Sequence, residues 1–308
     1  MPISLVKTIT SDGLHLSGLL SQTDSRSKLI LHIHGMAGDP YTNSWYAGFH
    51  ENFPKSDFAF LSVQHRGTGS ITQFAKDPDL YPSYGNALEI FEESVFDIDA
   101  WVLFAKNLGY REIYIQAHSL APSKVVYYMN QKKHDFIMPA MRAFQNTASV
   151  SSQYLIKGLI LISPVDMYAW PMAREELHNK VLAEAKRMIE DGKGTQLLSE
   201  ILDNEYVLSA NTYVNFFSKD SNCNVFCYTK RDHDWKHVNN IELPVLIIGG
   251  TKDYALQVGN TIEGSIEILK SQLTKSPLVK TKIFEGADHS YDGFEKNIVE
   301  QVMEFYRG

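Results

Sequence analysis

Three residues far apart in the chain, Ser119, Asp253 and His289, are of the types that together activate a hydroxyl for acyl transfer. A serine hydroxyl is a weak nucleophile until a base takes its proton and a carboxylate fixes the tautomer of that base. The serine sits in Ala117-His118-Ser119-Leu120-Ala121, after the apolar run Ile113-Tyr114-Ile115-Gln116 and before Pro122-Ser123-Lys124-Val125, which can continue as a helix. Strand, abrupt turn and helix, with serine at the tip, is the geometry that exposes a hydroxyl for attack. The usual pattern is G-x-S-x-G, because so tight a turn leaves little room for flanking side chains. Here both glycines are alanine, the smallest alternative, which is sterically admissible. Pro122 falls in the first helical turn, where an amide has no partner within the helix. The plain alternative for these residues is a buried strand running into a helix that Ser119 caps.

The other two residues follow strand-like runs. Pro244-Val245-Leu246-Ile247-Ile248-Gly249-Gly250-Thr251-Lys252 leads to Asp253, and residues 280–284 followed by Glu285-Gly286-Ala287-Asp288 lead to His289. A turn aspartate or a solvated loop histidine is ordinary by itself. All three residues beyond predicted strands, in the order Ser, Asp, His, are a stronger combination. Asp166, after the strand ending in Ser163-Pro164, is a second candidate for the acid. Asp288 adjoins His289 and reads as loop structure, while His118 beside Ser119 reads as a packing residue. A developing oxyanion needs two donors. The Leu120 amide supplies one, and the Met36 amide in His34-Gly35-Met36-Ala37-Gly38 is the candidate for the other, with an ordinary glycine-rich turn as the plain alternative. That glycine-rich turn lacks the G-K-[ST] ending of a phosphate loop.

The elements that must carry these residues follow from periodicity. Residues 5–10 and 14–20 alternate around Ser11-Asp12-Gly13 and predict a hairpin. Continuous apolar runs at 29–33, 58–63, 113–116, 158–162 and 245–249 predict strands buried on both faces. Helical spacing at 89–108, 263–273 and 295–306 alternates with them, which implies a mostly parallel sheet flanked by helices. Residues 134–157 form an insertion of uncertain structure. Residues 165–243 interrupt the alternation, with helical periodicity at 173–189 and further helices expected at 195–202 and 209–217. The expected division is a core of 1–164 and 244–308 with a helical cap, 165–243, over the strand ends.

With 308 residues, 44% hydrophobic and 21% charged, the composition is that of an ordinary globular chain. A net charge of −7 gives no global attraction to nucleic acid or anionic membrane. Cys223 and Cys227 are too few for a disulfide framework and read as free thiols of a reducing compartment. No signal segment or membrane-spanning run is evident, so a cytoplasmic location is expected. No metal cluster or cofactor motif is needed. The Arg231-Asp232-His233-Asp234 run reads as a solvated turn. The cap is rich in aromatics. Trp170 is expected to face the pocket, with Tyr168 and Tyr254 as further contacts to a small-molecule substrate. The insertion is compatible with a homodimer contact.

With these motifs assembled, the chain resembles the α/β-hydrolase superfamily, most closely its carboxylesterase and serine-aminopeptidase-like branch with a cap between core strands 6 and 7. The resemblance runs from about Leu14 to Tyr306, apart from the insertion and most of the cap. It implies Ser119 as nucleophile, Asp253 as acid in preference to Asp166, His289 as base, and Met36 and Leu120 as oxyanion donors. His65-Arg66-Gly67-Thr68-Gly69 resembles the family's R-G-x-G turn. Ala117 and Ala121 depart from the pattern and bear on turnover more than on fold. Three activities stay open. They are a serine hydrolase for an ester, thioester or amide, an acyltransferase or cyclase using the same acyl-enzyme, and a non-hydrolytic binding protein on the same fold.

Overall fold

The computed structural model describes residues 2–43, 45–133, 155–203, 205–230 and 232–307. Eight strands form one sheet: β1 (Ile3–Ile9), β2 (His15–Ser21), β3 (Lys28–Ile33), β4 (Ala59–Val63), β5 (Glu112–His118), β6 (Ile156–Ile162), β7 (Val245–Gly250) and β8 (Val279–Phe284). Their spatial order is β1-β2-β4-β3-β5-β6-β7-β8. β1 and β2 form the expected hairpin, with Gly13 at φ 86° in its turn. β2 is antiparallel to β4, and β3 to β8 run parallel to one another. The sheet is therefore mostly parallel, as its apolar runs require.

Alternate residues of each central strand feed two cores. Leu29, Leu31, Ile113, Ile115, Leu159 and Leu161 pack on one face with side chains of α2 (Ser94–Asn107), α3 (Ala121–Lys133) and α8 (Ile262–Gln272). Ile30, Phe60, Ile160, Ile162, Leu246 and Ile248 pack on the other with α1 (Trp45–Lys55) and α9 (Glu295–Arg307). Period-two burial on both faces leaves no polar face along these strands.

α1 has no clear signal in the sequence. It contains Gly48, Pro54 and several aromatics, all weak helix formers. Its helix is set by tertiary packing: Trp45, Phe49 and Phe53, four residues apart, are fully buried against the sheet.

Between β6 and β7 lie α4 (Ala169–Met172), α5 (Glu175–Glu190), α6 (Ala210–Phe217) and α7 (Lys236–Asn239). The segment is not wholly helical. Residues Leu197–Leu202, expected as a helix, form a strand that pairs antiparallel with Tyr206–Ser209. Leu198 is buried while Leu197 and Ser199 are exposed, so burial alternates with period two. The insertion at 134–154 and Arg231 lie outside the described residues. Among the described residues, no helix is long and apolar enough to cross a membrane.

Candidate active site

Ser119 follows β5 at φ 63°, a left-handed conformation that residues other than glycine seldom adopt. Its amide donates to the Ile162 carbonyl at 3.0 Å, which ties the turn to the end of β6. Ala117 and Ala121 are both fully buried, so the turn closes around methyl groups. The loop after β3 presses against it. A Cβ on Gly35 would lie 2.7 Å from Ser119 Cβ, which leaves glycine as the residue that fits there. The His34 ring braces this loop: Nδ1–H donates to the Gly35 carbonyl at 2.8 Å, and Nε2 accepts from the Thr68 hydroxyl at 2.9 Å. Burial depresses its pKa to about 3, so it is a neutral strut. Among the described residues, neither the Met36 nor the Leu120 amide has an intramolecular acceptor. Both residues line the cavity that holds Ser119.

His289 Nε2 lies 3.0 Å from Ser119 Oγ, and its Nδ1 lies 2.8 Å from Asp253 Oδ1. A carboxylate can only accept, so Nδ1 carries the proton and Nε2 is left to accept from the serine. His118 Nε2–H donates to the His289 carbonyl at 2.9 Å and pins the His289 loop. Burial, and then the proximity of His289, push the His118 pKa well down, which keeps the ring neutral. Asp253 is fully buried, and burial by itself would raise its pKa. The hydrogen bond and charge of His289, joined by the Ser163 hydroxyl, outweigh that and hold it below the usual carboxylate range. The Ala255 amide also donates to Oδ1 at 3.0 Å.

No family model and no curated protein matches this sequence. Among solved structures, the α/β hydrolase GrgF from Penicillium sp. sh18 is similar with a TM-score of 0.66 at 14% identity, over 100% of this chain and 98% of that one. Est1E from Butyrivibrio proteoclasticus with ferulic acid bound gives 0.60 at 20% identity, over 98% of each chain. The siderophore hydrolase EstB from Aspergillus fumigatus gives 0.65 at 12%, over 95% of this chain and 94% of that one. This chain has the α/β-hydrolase fold. At these identities the likeness concerns the fold, while the site is described by its own geometry.

In this α/β-hydrolase fold, the cleft above Ser119 spans about 340 Å³, its opening to solvent included. Val165, Met167, Trp170, Tyr206, Tyr254 and Ala255 complete the walls begun by Met36 and Leu120. Trp170 lines this cleft, with its Nε1–H donating to Asp203 Oδ2 at 2.5 Å and its ring 5.8 Å from that of Tyr206. The Tyr254 ring lies 5.1 Å from His289. Tyr168 is a correction: it lines a separate surface cleft, with the Lys230 ammonium 3.3 Å from its ring centre. α4 begins at Ala169, and its turn sends residues 168 and 170 to different sides.

Asp166 is tied elsewhere. Its Oδ1 accepts from the Tyr168 and Ala169 amides at 3.1 and 2.8 Å, and its Oδ2 from the Tyr228 amide at 2.7 Å. Asp288 accepts from the Ser290 amide at 3.0 Å as a loop brace. His233 lies 3.3 Å from the Val225 carbonyl, and Asp234 caps the Lys236 amide at 3.1 Å. Among the described residues, no cluster of three metal-ligating side chains occurs. Arg66 of the turn after β4 is buried and bonded to Asp97, Glu93 and Asp12, so it holds that turn. The sequence reading missed Tyr206 in the wall and Ser163 and Tyr291 behind Asp253. The one signal for Ser163 is a hydroxyl residue just past a buried strand.

Proposed function

We propose that this chain is a serine hydrolase that cleaves an ester, thioester or amide of a small molecule through an acyl-enzyme on Ser119. The observation that carries the reading is the unbroken line from Ser119 Oγ to His289 Nε2 at 3.0 Å and from His289 Nδ1 to Asp253 Oδ1 at 2.8 Å. In this reading Ser119 Oγ attacks the substrate carbonyl while His289 Nε2 takes its proton. The oxyanion forms against the amides of Met36 and Leu120, which have no acceptor among the described residues. His289 returns the proton to the leaving alcohol, thiol or amine, and Asp253 holds the imidazolium. Water, activated by the same imidazole, then attacks the acyl carbonyl and releases the acid. These steps draw only on the chain's own groups and water.

The segment 165–243 acts as the cap in this reading, because its Trp170 and Tyr206 share the cavity with Ser119. Walls of leucine, valine, methionine and aromatic rings favour an apolar or aromatic substituent over a charged one. The buried free thiols Cys223 and Cys227 are compatible with a cytoplasmic enzyme.

A fluorophosphonate probe tests the reading, together with p-nitrophenyl esters and arylamides of graded acyl length. Stoichiometric labelling of the wild type, lost along with turnover in Ser119→Ala, is expected. A wild type that resists the probe and leaves every substrate intact overturns it.

A further inference from the structure

Behind the Ser119–His289–Asp253 line sits a second set of buried hydroxyls that the proposed reaction does not itself consume. Ser163 follows β6 directly, is fully buried, and has φ 50°. Its hydroxyl donates to Asp253 Oδ2. That uses its only hydrogen, so the Tyr291 hydroxyl, 2.7 Å away, is the donor to Ser163 Oγ. Tyr291 is fully buried two residues beyond His289, also at a positive φ of 54°, with its ring stacked 6.1 Å from Trp45. Ser119, Ser163 and Tyr291 are therefore three non-glycine residues in left-handed backbone, joined through Asp253 and His289 by hydrogen bonds. Such conformations persist only where the surroundings enforce them, and they gather at functional sites.

We propose that Ser163 is a positioning residue for Asp253, held in place by Tyr291, and that the chain accepts a strained backbone at 163 in exchange for the hydroxyl. The inference rests on the serine-hydrolase reading above. A carboxylate can turn about its Cβ–Cγ bond and present either oxygen. Asp253 Oδ1 already receives His289 and the Ala255 amide, and the Ser163 donor on Oδ2 locks that assignment. The same bond disperses charge on the carboxylate, so the Asp253–His289 pair binds its proton less tightly than it would without the hydroxyl. Glycine is the residue the backbone at 163 would prefer, and it lacks the donor.

Ser163→Gly therefore separates function from packing. The expected result is a variant that still folds, with the relief of backbone strain offsetting part of the two lost buried hydrogen bonds, and with kcat/KM lowered about ten- to a hundredfold, the worth of one hydrogen bond to a charged group. The acid limb of the pH profile of kcat/KM should move to higher pH, because the pair now holds its proton more tightly. Tyr291→Phe, which removes only the outer donor, should shift the limb the same way by less. Should Ser163→Gly fold poorly, Ser163→Ala is read in the same assay. An unmoved acid limb in a variant that the fluorophosphonate still labels overturns the positioning role while sparing the hydrolase reading. An unlabelled wild type overturns both.

Discussion

Asp166 and Asp253 are the same side chain a few residues beyond two neighbouring strands, β6 and β7, and both are almost wholly buried. Each accepts three hydrogen bonds, yet their acidities move apart. Asp166 is bonded to the amides of Tyr168, Ala169 and Tyr228, and burial outweighs those bonds, so its pKa is raised. Asp253 is subject to the same burial but faces an imidazole that can carry charge and a hydroxyl, and its pKa is lowered. Depth of burial does not separate the two carboxylates. The chemistry of the donors does: Asp166 meets only backbone amides, whereas Asp253 meets a titratable ring and a hydroxyl.

The largest expected effect breaks this comparison if it fails. Asp253→Asn leaves His289 in the wrong tautomer and should lower kcat about ten-thousandfold. Asp166→Asn should leave kcat within about tenfold and instead destabilise the fold by about 1–3 kcal/mol, because a buried amide loses its acceptor. Steady-state kinetics beside denaturant melts on both variants check this, and equal kinetic losses would erase the distinction. A smaller effect comes from the opposite wall of the site. Gly35→Ala must move the loop that carries Met36 and should lower kcat about a hundred- to a thousandfold, with Asp253 and His289 untouched.

The smallest effect sharpens the comparison through pH. For Asp253, whose folded pKa lies below the unfolded value, the unfolded chain holds more protons in the window between them. Its contribution is therefore present above the unfolded pKa and lost as pH falls through the folded one. For Asp166, whose folded pKa is raised, the native state holds the extra proton, and stability declines as pH climbs through that window. Denaturant midpoints measured across the carboxylate range should accordingly rise more steeply with pH in Asp166→Asn and more shallowly in Asp253→Asn.

Much of this site was legible in the chain because Ser119 and Asp253 follow runs of apolar residues, which mark strands covered on both sides, while His289 follows a short, half-exposed edge strand, Val279–Phe284. Residue types and spacing alone leave Asp166 beside Asp253, since both follow apolar runs, and only the family resemblance favours Asp253. The placement of Tyr168 away from Ser119 was not legible, since it depends on how α4 begins. The leucines and isoleucine of 197–202 fit a helical as well as a strand period over so short a stretch, so the sequence alone does not mark it as a strand. α1 carries no sequence signal because its aromatics form a helix only when the sheet is there to receive them.

By itself the sequence determined the alternation of strands and helices, the serine turn with its two alanines, and the order of the three polar residues. Those properties are local, set by side-chain periodicity and by the space a turn allows. Only the tertiary structure decided that His289 reaches Asp253 rather than Asp166, that Gly35 lies against Ser119, and that Ser163 and Tyr291 stand behind the carboxylate. Each of those is a contact between loops at the ends of different strands. Its length depends on the twist and register of the whole sheet, which no single stretch of chain encodes.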